Sequence, residues 1–203
     1  LLHEFDAALN DRGMTCVRYI DDFIILGPSS KAVKKTMETA TAMLDAFGMD
    51  VYDPVRQPEK AGFGQVSDGF DFLGCHINPG QVAPSKDARG RLIEKVNAII
   101  SAGKKAIHYA SKKDGPSELL QCQVQTLIKI DGVLKGWGHA FSFCNNPYIM
   151  SALDAKVDAI TSEFMQLCYN LGEGKTAQQR RRILGVSLLT DIPDRKSTRL
   201  NSS

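Results

Sequence analysis

The sequence predicts an α+β fold, on three observations. Short runs rich in β-branched and aromatic residues, separated by turn residues, fill the chain up to Pro84. From Ser85 onward apolar residues recur at steps of three and four, the spacing of amphipathic helices. The two parts also differ in charge: residues 1–84 carry 7 Lys+Arg against 12 Asp+Glu, net −5, and residues 85–203 carry 18 against 11, net +7. With 203 residues, 43% hydrophobic and 24% charged, the chain can bury one or two cores. No apolar run approaches the ~18 to 20 residues that cross a bilayer. The start, "LLHEFDAALNDRG", has acids where a signal peptide has a basic region, so the expected compartment is the cytosol, with no membrane partner. The cysteines Cys16, Cys75, Cys122, Cys144 and Cys168 are odd in number and lack a C-x-x-C pair, which reads as reduced thiols.

Each element follows in order. "GMTCVRYI" and "FIILG" have strand character on either side of two acids, which predicts a β-hairpin with Asp21 and Asp22 at its tight turn. Ser29 or Ser30 then caps a helix whose apolar stripe is Val33, Met37, Ala40, Leu44 and Phe47, with Gly48 as its stop. "MDVYDPVRQPEKAG" is extended and interrupted by two prolines. "FDFLGCHINPGQVAP" predicts a second hairpin turning at Asn78-Pro79-Gly80. Beyond Ser85, Leu92, Val96, Ile99, Ile100 and Ile107 form the apolar stripe of a helix whose remainder carries Arg89, Arg91, Lys95, Lys104 and Lys105. A second helix is expected from Ser117 to about Leu134, after a break at Gly115-Pro116, and a third from about Pro147 to Leu171. "LGEGKTAQQRRR" is a link. The last residues, "RKSTRLNSS", match nothing before them in apolar pattern and read as a non-native tail over 195–203.

Two adjacent carboxylates between hydrophobic strands repel each other and lose hydration unless a cation or a donor compensates them. Mg²⁺ suits this position, because it takes hard oxygen ligands and is usually held by one or two carboxylates plus substrate phosphates. An ordinary polar turn is the other reading of the same two residues. The charge asymmetry is likewise open, between a solvated surface and a cation-binding half joined to a polyanion-binding half.

Four segments, in order, carry a resemblance. "YIDD" between apolar strands resembles the Tyr-x-Asp-Asp signature of reverse transcriptases. "LLHEFDAAL" is similar to the helix after that family's glycine-proline-glutamine motif. "PEKAGFGQVSDGFDFLGCHI" resembles its lysine motif and primer-grip hairpin, in the form of group II intron and related bacterial enzymes. "LKGWGHAFSF" is similar to the Gly-Trp segment of their thumb, or maturase, domain, and "RRRILGV" is a weaker echo. The resemblance implies a right-hand RNA-directed DNA polymerase: a palm remnant of antiparallel hairpins with packed helices in residues 1–84, and an α-helical thumb in residues 85–194.

The same resemblance implies roles. Asp21 and Asp22 would hold Mg²⁺, or Mn²⁺, for two-metal nucleotidyl transfer to a primer 3′ hydroxyl. Tyr19 and Ile20 would lie near the primer end and the incoming dNTP. Lys60 would protonate the departing pyrophosphate, against the reading of an exposed lysine beside Glu59. Phe72, Leu73 and Gly74 match the primer grip, where glycine lets backbone approach nucleic acid closely; they also read as strand core. Arg89, Arg91, Lys95, Lys104 and Lys105 would meet the phosphates of an RNA template and DNA primer, an RNA–DNA hybrid, or a structured intron RNA. Trp137, the only tryptophan, reads as an anchor between thumb helices before a stacking platform.

Other motifs fail. "GEGKT" lacks the glycine that a phosphate-binding loop needs at Tyr169, and the strand before it. His3, His76, His108 and His139 are scattered, so no zinc site is expected. The family's other catalytic aspartate and its fingers would lie upstream of Leu1, and Asp6 and Asp11 are no substitutes; the chain is therefore expected to be inactive alone. Two alternatives stand beside the polymerase: a non-catalytic, maturase-like RNA-binding module, and another palm-fold enzyme such as a nucleotide cyclase.

Overall fold

The computed structural model describes residues 2–10, 13–110 and 123–191. The fold is α+β with small antiparallel sheets, and the chain divides into two compact units, Leu1–Gly80 and Gln81–Ser203.

In the first unit, helix α1 (His3–Leu9) precedes strands β1 (Thr15–Tyr19) and β2 (Asp22–Leu26), and helix α2 (Ser30–Asp45) follows. Residue alternation along β1 sends Cys16 and Arg18 inward and leaves Thr15, Val17 and Tyr19 exposed. The core therefore lies on one side of the hairpin only. Phe5, Leu9, Ala40 and Leu44 are buried there, with Cys16, Phe23, Ile25 and Met37 packed against them, and the Phe5 and Phe23 rings meet edge to face at 5.4 Å. Ser29 caps α2, its hydroxyl accepting from the Ala32 N–H at 3.3 Å. The helix ends at Asp45, so Phe47 falls beyond it and is 49% exposed rather than part of the apolar stripe. Gly48, at φ 71°, supplies the turn that follows.

The second predicted hairpin segment keeps its turn at Pro79-Gly80 and gains an earlier one. Strands β3 (Phe70–Phe72) and β4 (Cys75–Asn78) pair antiparallel, Phe72 opposite Cys75, so the chain reverses at Leu73-Gly74. Pro79-Gly80 is a further turn, followed by strand β5 (Gln81–Pro84). The segment between α2 and β3 has turns around its prolines and a short 3-10 turn at Val66–Asp68.

The second unit is mainly helical. Helices α3 (Lys86–Ala110), α4 (Gln123–Ala140), α5 (Pro147–Gly172) and α6 (Ala177–Leu184) bury Leu92, Val96, Ile100, Ile107, Ile130, Leu153, Val157, Phe164, Cys168 and Ile183. The predicted α3 stripe is therefore the face that packs. Trp137 is partly buried against this core and lies 4.5 Å from the Phe141 ring. Gly103 marks a close approach of α3 to α4 and α5: a Cβ there would stand 2.6 Å from Thr126 Oγ1 and 3.2 Å from Phe164 Cζ. Asn145 grips β5, its side-chain oxygen accepting from the Val82 N–H at 2.8 Å while its own N–H donates to the Val82 carbonyl at 3.0 Å.

Two helix expectations change. α4 runs to Ala140 rather than to Leu134, and carries Gly132, Gly136 and Gly138 inside it although each glycine costs helix stability. Its expected start at Ser117, the Gly115-Pro116 break, Asp11, Cys122 and the 195–203 tail lie outside the described residues. The "GEGKT" link leads into α6, where the Thr176 hydroxyl accepts from the Gln179 N–H and the Gln179 side chain accepts from the Thr176 N–H, a reciprocal capping box.

Candidate functional site

The β1–β2 hairpin joins its strands with the shortest possible loop. Tyr19 pairs with Asp22, so the turn residues are Ile20 and Asp21, and Asp22 is the first residue of β2 rather than part of the turn. Both acids are exposed. The lost hydration that made them look expensive is therefore absent, since both stand in solvent and the core cluster packs on the Cys16, Phe23 and Ile25 side of the hairpin. Tyr19 and Asp22, as cross-strand partners, share the open face, where Tyr19 is 59% exposed. Among the described residues, no ion pair involves Asp21 or Asp22.

The turn is strained. Ile20 has φ 57°, a left-handed conformation that a β-branched residue rarely takes, costing about 1 to 3 kcal/mol. Ile20 is 69% exposed, so packing gives little in return.

The β3–β4 hairpin repeats the feature. Leu73 and Gly74 form its two-residue turn with φ of 50° and 75°, the double positive φ of a type I′ turn. Gly74 takes this freely and Leu73 does not. Among the described residues, Ile20 and Leu73 are the two non-glycine positions with positive φ. Phe72 is half-buried and Leu73 is exposed. On the same hairpin, cross-strand partners Asp71 and His76 are joined by an Oδ1–Nδ1 contact of 2.6 Å.

Compared with models of protein families and with curated proteins, the chain has no match in either. What it can do rests on its own residues.

Lys60 is exposed and its ammonium stands 4.4 Å from the centroid of the Tyr52 ring, a cation–π contact that gives this lysine a fixed partner. The five cations of α3 do not form one row. At about 100° per residue, Arg91, Lys95 and Lys105 fall within an arc of roughly 80°, spanning about 21 Å along the helix, while Arg89 and Lys104 point to the other side. Glu94 falls about 20° outside that arc, on the Lys105 side. Arg91, Lys95 and Lys105 are exposed; Arg89 is partly buried and donates to the Ser85 carbonyl at 3.3 Å, and Lys104 is bound to Glu163 at 2.6 Å. That lysine holds the Glu163 carboxyl below its ordinary value.

As a cation site, Asp21 and Asp22 fit in part. They are hard oxygen donors, accessible and, among the described residues, free of ion pairs, and one or two carboxylates are the usual protein share of a Mg²⁺ site. Among the described residues, no group of three or more acids, histidines or cysteines comes together to hold a metal. No helix there is long and apolar enough to cross a membrane.

The residue that sequence reasoning missed is Arg18. It carries a signal only in retrospect: a charged residue at an inward position of an apolar strand needs a partner, and Asp6 of α1 is that partner, at 2.7 Å.

Proposed function

We propose that this chain is the palm end and thumb of an RNA-directed DNA polymerase, a reverse transcriptase of the group II intron and retron kind, transferring nucleotides to a primer 3′ hydroxyl on an RNA template. One observation carries the reading beyond the motifs. The two strained non-glycine residues, Ile20 and Leu73, sit at the tips of the two hairpins that the resemblance assigns to the metal site and the primer grip. Strain of this kind is retained where a site requires it.

In this reading Asp21 and Asp22 would hold Mg²⁺ or Mn²⁺. Bound there, the cation supplies Lewis-acid stabilisation of the oxygens in phosphoryl transfer. Asp21 projects from the turn and Asp22 from the open face beside Tyr19, which leaves the phenol to meet the primer end or the incoming nucleotide. Leu73 and Gly74 bring a tight backbone reversal to the primer. Lys60, steadied on Tyr52, is the proton donor for departing pyrophosphate. Arg91, Lys95 and Lys105 face the phosphates of the hybrid, and Arg89 and Lys104 serve the fold.

The lack of a third acid beside Asp21 and Asp22 among the described residues favours one alternative, an RNA-binding maturase-like module without chemistry. Primer extension on an RNA template separates the two, using this chain alone and with a separately expressed N-terminal half of a parent polymerase. Extension is expected only from the pair and is lost in Asp21→Asn. Hybrid binding by the pair without extension would replace the polymerase with the binding module, and a primer-independent product would point to a cyclase.

A further inference from the structure

The turn that presents Asp21 has a brace outside the four-residue motif. Arg18 lies on the inner face of β1, opposite Phe23 in register, and its side chain is 23% exposed. Its guanidinium meets the Asp6 carboxylate at two points, Nε to Oδ1 at 2.8 Å and Nη2 to Oδ2 at 2.7 Å. Nη1 then donates to the Ile20 carbonyl at 2.8 Å. One planar side chain thus joins helix α1, strand β1 and the strained turn residue. A lysine has no rigid fork to make these bonds together.

We propose that Arg18 is a positioning residue: held by Asp6, it pins the Ile20 carbonyl in the left-handed turn and so sets the direction in which Asp21 and Asp22 present their carboxylates to a divalent cation. Ile20 needs such a hold, because its conformation is unfavourable and its mostly exposed side chain supplies little packing. Asp6 has a second effect. By neutralising the guanidinium on the α1 side of the sheet, it keeps Arg18 from competing with the cation for the turn acids, which take part in no ion pair among the described residues. The cation half of the proposal rests on the polymerase reading; the hold on Ile20 does not.

The test uses the whole isotope-labelled chain and two readouts. Backbone NMR shifts and couplings report whether Ile20 is left-handed, and Mn²⁺ titration reports paramagnetic broadening at Tyr19, Asp21 and Asp22. Arg18→Met and Asp6→Asn are each expected to move Ile20 out of the left-handed region and weaken Mn²⁺ binding about tenfold or more, while Leu9 and Leu44 methyl signals stay in place. Asp21→Asn should abolish the broadening and leave Ile20 left-handed. Where Arg18→Met fails to fold, Arg18→Lys, which keeps the charge and loses the fork, is expected to release Ile20. An Ile20 that stays left-handed in the folded variants overturns the proposal. Absence of Mn²⁺ broadening in the unaltered chain defeats the metal reading instead, and the Ile20 readout still decides the role of Arg18.

Discussion

Replacing Ile20 by glycine should stabilise the first unit, and the size of the gain follows from the turn. At φ 57° a Cβ costs about 1 to 2 kcal/mol, which glycine does not incur. Glycine gives back about 0.5 to 1 kcal/mol through the added freedom of the unfolded chain. Little packing is lost, because Ile20 is 69% exposed. The expected net gain is about 0.5 to 1 kcal/mol, a few-fold in the folding equilibrium. Ile20→Ala keeps the Cβ and so most of the strain, which makes the alanine–glycine difference, about 1 kcal/mol, the cleanest measure. Urea unfolding followed at the Leu9 and Leu44 methyls, both in the core of this unit, isolates it from the helical unit. Ile20→Ala as stable as Ile20→Gly would show that residue 20 is not strained, and would remove the observation on which the functional reading leans.

In the second unit, Gly103→Ala should cost about 1 to 3 kcal/mol, since its Cβ would meet Thr126 Oγ1 and Cγ2 at 2.6 and 2.8 Å and both Thr126 and Phe164 are fully buried; unchanged unfolding at the Ile130 and Leu153 methyls would refute that close approach. Asp6 is held below the ordinary aspartate value of 3.8 mainly by its hydrogen bonds to Arg18. A depressed carboxyl contributes stability above its unfolded value and loses it as pH falls through the folded one, so this contribution should be whole above pH ~4 and fade below it. A carboxyl NMR titration of Asp6 with its midpoint at or above 3.8 would sink the ion pair. Affinity for an RNA–DNA hybrid should fall steeply between about 50 and 200 mM salt, with Arg91→Ala and Lys105→Ala reducing the slope more than Lys104→Ala; a flat profile would make the α3 cations a solvated surface.

Much of the architecture was legible because it follows from apolar spacing. The stripe Leu92, Val96, Ile100 and Ile107 is buried as a helical period requires, and Pro147 begins its helix as proline at a first turn does. Local turn chemistry was less legible. Proline and glycine mark the turn at Pro79-Gly80 in the sequence, whereas nothing marks the earlier reversal at Leu73-Gly74, which sets a leucine in a position that propensity reserves for glycine or asparagine. Helix α6 was hidden by its polarity. "AQQRRRIL" buries Ile183 alone, and its start is fixed by the Thr176–Gln179 cap rather than by an apolar stripe.

The acids themselves show how a motif read by hydrophobicity can rest on the wrong reason. The run around Asp21 and Asp22 is apolar in sequence, yet α1 and α2 cover only one face of its hairpin, so the carboxylates stand in solvent and need no cation to be tolerated. Desolvation therefore says nothing for a metal here. The order of residues in the turn says more. A hairpin under selection for stability alone places glycine or asparagine where φ is positive, and aspartate also tolerates that conformation better than a β-branched residue. This turn gives the positive φ to Ile20 and spends Arg18 and Asp6 on holding it. An ordinary Asp-Asp turn requires neither the isoleucine nor the brace; under the proposed function both follow, because the turn then has to aim the next two carboxylates.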